Sequence, residues 1–200
     1  MRDRNATLSK MRERLEAAQG LVNRNEYSEA RAEFVKLATE LQQLGLRSAN
    51  VLWGLAVVAD YLGDPREAIT RVEEALELDP LAVSIANSKG IILNRIRSML
   101  SDVTRAPDDP TTPSLYELLL ERGEADVDAH LAMARFYKHA GHHADALRVL
   151  SALTTLYPRA VEAWVAIEEA ARAAGNSHLA EEAAIQVKLL GASLGKGAQA

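Results

Sequence analysis

Two hundred residues with a formal net charge of −5 suit one globular domain or one compact array. The absence of cysteine excludes disulfides, thiol catalysis and zinc-thiolate sites. No apolar run reaches the roughly 18 residues of a membrane span, and Met1-Arg2-Asp3-Arg4-Asn5 lacks the apolar stretch of a secretory signal. Hydrophobic residues make up 48% of the chain, enough to build a core. Mild acidity argues against a dedicated nucleic-acid binder. These features predict a soluble, cytoplasmic protein.

Composition points to helix. The chain holds 35 Ala and 28 Leu, and these two lead the helix-propensity ranking because they lose little or no side-chain entropy. No period-two run of β-branched or aromatic residues marks a strand. In chain order, one pattern returns. Near the N-terminus, Asn25-Glu26-Tyr27-Ser28-Glu29-Ala30 is followed by Phe34. Next, Gly63 and Ala68 are followed by Val72 and Pro80. The same spacing recurs at Gly141, Ala146, Leu150 and Pro158, and then at Gly175 and Ala180. A turn glycine supplies positive φ just past a helix end. A small alanine lets the neighbouring backbone approach, and a proline stops the second helix.

These residues resemble the tetratricopeptide repeat family, whose 34-residue unit is a pair of antiparallel helices. Trp164, Leu55, Gly90 and Tyr137 match its first-helix positions. Ala30, Ala68, Ala146 and Ala180 match its tightly packed alanine, Phe34, Val72 and Leu150 the apolar residue after it, and Pro80 and Pro158 its exit proline. The resemblance implies an all-α fold, a right-handed α-solenoid forming one array over residues 1–194 with a flexible tail at 195–200. Repeats are expected at 8–48, 49–82, 83–126, 127–160 and 161–194. Predicted helices run near 8–23 and 28–44 in the first repeat, then 49–62 and 65–78 in the second. The third repeat departs from the pattern. It carries an insertion at 97–113 containing Pro107, Pro110 and Pro113, and residues 84–104 read alternatively as one long helix. Charge is polarised there. Lys89, Arg95, Arg97 and Arg105 come first, then seven acids against Arg122 between Asp108 and Asp128. A docking loop and a solvated connector both fit.

In the resembled family the first helices line a concave groove. Carried over position by position, the partner-binding candidates are Trp53, Tyr61, Asn87, Asn94, Arg95, Arg135 and Lys138. Asn side chains can bond a peptide backbone through donor and acceptor. Arg and Lys favour an acidic segment or a terminal carboxylate. Trp53 stands one residue from the family's tryptophan position, which leaves it open between groove and core, whereas Trp164 occupies that position and is expected in the core. The Lys/Asn clamp of the family's chaperone-tail binders is replaced by Leu15, Gln19 and Gly54, which disfavours that role.

No catalytic constellation emerges. There is no HExxH motif, phosphate loop or nucleophile elbow. The adjacent pairs Glu73-Glu74, Glu168-Glu169 and Glu181-Glu182 point about 100° apart on a helix and read as solvated faces. His139, His142 and His143 cluster at a turn, where packing and exposure explain them more simply than a metal. The N-terminal basic residues alternate with acids and lack an aromatic platform for nucleic acid. The reading is a non-catalytic adaptor or scaffold that holds a protein or peptide segment in its groove. No cofactor, metal, nucleic acid or membrane insertion is expected. The alternatives are a chaperone-like escort for a secretion or assembly system, and a self-assembling homo-oligomer that uses Leu179, Val187 and Leu190 on its end helix.

Overall fold

The computed structural model describes residues 2–102 and 106–197, with side chains described between Ser9 and Gly191. The described residues form ten helices and no strands. In order these are α1 Arg2–Asn23, α2 Tyr27–Gln43, α3 Ala49–Tyr61, α4 Pro65–Leu78 and α5 Val83–Ser101. They are followed by α6 Thr112–Leu120, α7 Val127–His139, α8 His143–Leu156, α9 Val161–Ala173 and α10 Ser177–Gly197. The predicted helices of the first two repeats agree with α1–α4 to within a few residues at α2 to α4. At the N-terminus, α1 begins earlier, at Arg2.

The turns explain why the helices stop where they do. Gly63 and Gly141 take φ of +79° and +77°. At Gly63 the amide donates to Asp60 O, and the next amide, Asp64 N–H, reaches back to Ala59 O. This Schellman pattern satisfies carbonyls that a helix end leaves free. Gly45, Gly123, Gly141 and Gly175 repeat it, and Asn25 does so at φ 62° as the non-glycine member. Asn tolerates that left-handed region better than most residues. The following helices are started by side chains. Asp64 Oδ1 accepts from Glu67 N–H at 2.9 Å, and Pro65 occupies the first turn of α4, where its missing N–H costs nothing. Ser48, Asp126 and Asn176 cap α3, α7 and α10 in the same way.

The chain divides into two compact units, residues 1–95 and 96–200. In the first unit α1 packs on α2, α2 on α3 and α3 on α4. Its core gathers Ala18, Ala30, Phe34, Leu37, Val51, Leu55 and Val58. In the second unit α6 to α10 pack each on the next, around Ala134, Leu150, Leu153, Ala163, Ile167, Ala170 and Ala183. The repeat alanines Ala30, Ala68 and Ala146 have no exposed surface, and Ala180 retains little. The division falls within α5, which runs on to Ser101 as one long helix instead of ending in a short turn. Within the second unit, Ile96 and Leu100 of α5 and Leu115, Leu118 and Leu119 of α6 are buried. The Arg97 guanidinium donates to the Glu124 carboxylate and carbonyl and lies 3.5 Å from Asp126. One of the basic residues before the insertion therefore pins α5 to the loop before α7. Asp109 Oδ1 accepts from the Thr111 amide at 2.8 Å and its hydroxyl at 2.7 Å, an ordinary Asx turn. Arg105 lies outside the described residues. Of the expected tail, 195–197 belong to α10 and 198–200 lie outside the described residues.

One tight contact has no counterpart in the repeat pattern. Phe34 is fully buried on α2, and its ring lies against the backbone of α3 at Gly54. A Cβ at Gly54 would come within 2.4 Å of the Phe34 ring. Gly90, in contrast, has open space where its Cβ would stand. Gly54→Ala is therefore expected to lower unfolding stability by about 1–3 kcal/mol through overpacking. Gly90→Ala, inside α5, is expected to raise it by about 0.5–1 kcal/mol. Urea denaturation of the two variants measures both signs.

Candidate functional site

In the first unit, the candidate residues of α3 and α5 share one polar-aromatic surface. Trp53 is half-buried, and its indole N–H donates to Ser88 Oγ at 2.9 Å. Ser88 in turn donates to Ser84 O at 3.0 Å. The indole is thus held by a bond from α3 to α5, which settles Trp53 at the margin of the core and not inside it. Beside it a cavity of about 390 Å³ opens between α1 and α3. Gln19, Val22, Asn23, Trp53 and Val57 line it, with Phe34 and Gly54 at its base. Gln19 offers an amide there instead of the clamp residue of the chaperone-tail binders.

About two turns beyond Trp53 on α3, Asp60 meets Arg95 of α5 at 2.8 Å. The Asp60 carboxyl is mostly buried, with 11% of its side chain exposed. Burial raises its pKa above the ordinary aspartate value, and the Arg95 charge and hydrogen bond only partly oppose that. Arg95 also lies over the Tyr61 ring, 5.8 Å from its centroid. Tyr61 is 54% exposed on one side and stacked on Tyr27 on the other, at 4.5 Å and 7°. The Tyr27 hydroxyl donates to Asn25 Oδ1 at 2.6 Å, so the residue that makes the first turn also steadies the stack. This Tyr27–Tyr61–Arg95 assembly is not visible in the repeat pattern, which places Tyr27 in a second helix and Tyr61 in the next first helix. Asn87 and Asn94 are exposed on α5.

The second unit holds the other two candidates on α7. Lys138 donates to Glu169 of α9 at 2.7 Å, so this cation is already matched. Arg135 is exposed beside a cavity of about 240 Å³ between α7 and α9. Leu131, Ala134, Val165, Ala166 and Ala170 give that cavity its apolar walls, and Glu162 and Glu169 its polar edge. Trp164, expected in the core, is half-buried against it, and its indole N–H donates to Pro158 O at 3.0 Å. The repeat's exit proline and its tryptophan are joined by that bond, which requires the ring edge to stay near the surface.

The histidines diverge. His139 lies 4.0 Å from Asp108, and His142 lies 3.7 Å from Asp145. His143 buries an Nδ1 with no hydrogen-bond partner. No group of three potential metal ligands forms among the described residues. His130 is buried at 1% exposure, its Nδ1 2.8 Å from Asp126 O and its ring edge-on to Tyr116. It fills on α7 the place that Trp164 takes on α9, a core role for a polar residue that its position 34 residues before Trp164 signals. No helix among the described residues is long and apolar enough to cross a membrane.

Four tandem helix pairs closed by Schellman turns, each with a buried alanine on its second helix, define a helical-repeat protein. Residues 127–173 match the family model described as Tetratricopeptide repeat. No curated protein matches the chain. Solved structures that resemble it include MamA from Desulfovibrio magneticus RS-1, residues 41 to the end. That likeness is at 17% identity and a TM-score of 0.40, covering 92% of this chain and 96% of that one. Another crystal structure of MamA protein resembles it at 16% identity and 0.41, covering 94% of each chain. A tetratricopeptide repeat protein from Parabacteroides merdae ATCC 43184 does so at 15% and 0.39, covering 94% of this chain and 68% of that one. At these scores the likenesses carry no inference about a partner.

The Asp60–Arg95 pair yields a titration test. The folded state holds the Asp60 proton more tightly than the unfolded chain does, because burial raises its pKa. Its contribution to stability is therefore present below the ordinary aspartate value and is lost as pH rises through the folded value. Arg95→Gln removes the opposing charge and is expected to move the Asp60 pKa further up. Carboxyl NMR titration of wild type and variant measures it, and an unchanged value would contradict the assigned cause.

Proposed function

We propose that the chain is a non-catalytic adaptor that captures a segment of a partner protein on the exposed faces of its first helices. The observation that carries this reading is the surface of α3 and α5. Trp53 is locked by Ser88 and lines a cavity of about 390 Å³, and Tyr61 is stacked between Tyr27 and Arg95. Tyrosine, tryptophan and arginine held in fixed rotamers are typical anchors of a protein interface. They bring apolar area at little further entropy cost, because their side chains are ordered before the partner arrives. The match of residues 127–173 to the tetratricopeptide repeat model supports the same role. In the second unit, Arg135 and the cavity between α7 and α9 provide a further contact surface.

A chaperone-like escort would use the same surface on an unfolded client, and its pathway is a matter for the partner's identity. Self-association is the other reading, and the exposed Ile185 and Leu189 of α10 favour it. They stand one turn apart on one face, whereas the sequence pattern points to Leu179, Val187 and Leu190, of which Leu179 packs partly against the core.

The test is capture from native lysate by wild type and by Trp53→Ala/Arg135→Glu, each checked by circular dichroism. The adaptor reading predicts a partner lost by the folded double variant. A partner kept by both, or light scattering that shows wild type as a concentration-dependent oligomer with nothing else bound, would contradict it.

A further inference from the structure

Arg135 differs from the other two cations among the candidate residues, Arg95 and Lys138. Arg95 is matched by Asp60 and Lys138 by Glu169. Arg135 has no hydrogen-bond or ion-pair partner among the described residues. It also borders two cavities, one on each side of α7. The first, about 240 Å³, is walled by Leu131 and by Val165 of α9. The second, about 280 Å³, is walled by Leu100 of α5 and by Pro107. A single unmatched guanidinium is thus flanked by two apolar hollows within the second unit.

We propose that this site recognises an internal segment of a partner protein in which one carboxylate side chain stands between two apolar side chains. The proposal rests on the adaptor reading and specifies the chemistry of its partner. A guanidinium presents paired N–H donors that fit a carboxylate bidentately. Hollows on both sides of it require a chain that continues in both directions, so the acid is a side chain and not a terminal carboxylate. Glu162 edges the first cavity, where it repels a second acid and selects an apolar neighbour. Lys138 adds little, because Glu169 already neutralises it.

The experiment is a random-peptide display selection on the full chain, followed by fluorescence anisotropy of the enriched peptides as synthetic probes. The proposal predicts enrichment of a single Asp or Glu between apolar residues. Arg135→Glu, an exposed position that leaves the fold intact by circular dichroism, is expected to weaken such a peptide by about tenfold or more. Replacing the peptide's acid by Lys is expected to restore binding to that variant. Lys138→Gln is expected to change affinity by less than about threefold. Peptides that bind through Trp53 yet ignore Arg135 and carry no acid overturn this inference and leave the adaptor reading standing. A selection that yields no wild-type-specific peptide overturns both.

Discussion

Ala68 and Ala146 have no exposed surface, and in each case the neighbouring turn is closed by a glycine with positive φ five residues earlier. The turn brings the second helix back, and the alanine lets the two backbones come close. A leucine at either place would hold them apart, since interiors packed at crystal-like density have no room for the extra methylenes. This close approach orients each pair. With the second helix pressed against the first at the alanine, the apolar stripe of both is used up in the core, and the opposite face of the first helix is free for other work. Tyr61, Asn87, Arg95, Arg135 and Lys138 are exposed on α3, α5 and α7.

The first unit shows how a surface of this kind is made rigid before any partner binds. Trp53 is tied by Ser88, and Arg95 is tied by Asp60 and spread over Tyr61. Tyr61 rests on Tyr27, which is tied in turn by Asn25. Every anchor is held by a residue from another helix or turn, so little rotamer freedom is left to lose on binding. Burial raises the pKa of the mostly buried Asp60 carboxyl despite the adjoining guanidinium. The second unit is less committed. Its Lys138 is matched, its Arg135 is not, and its cavity is smaller.

Much of this was legible before the structure. Asn25, Gly63, Gly141 and Gly175 occur at one place in a recurring frame, and each takes the positive φ that the frame requires. The four repeat alanines are buried because their size is set by a contact local to one helix pair. What the pattern left out depends on contacts between residues with no fixed spacing. Phe34 against Gly54, Arg97 against Glu124 and Tyr27 against Tyr61 each join successive elements through side-chain reach. Trp164 illustrates the same limit. Its position matches the family, but its indole N–H needs an acceptor, and Pro158 O holds it half-exposed. The run of α5 to Ser101 follows the alternative reading of residues 84–104 as one long helix, at the place where the repeat frame breaks.

The central claim is that the free faces of the first helices receive the partner. Hydrogen–deuterium exchange of the full chain, with and without the partner it captures, tests that most directly. The account predicts slowed exchange at the turns and ends of α3, α7 and α9, with α4 and α8 unchanged. Protection confined to α4 and α8, or to the 106–111 loop, would contradict it.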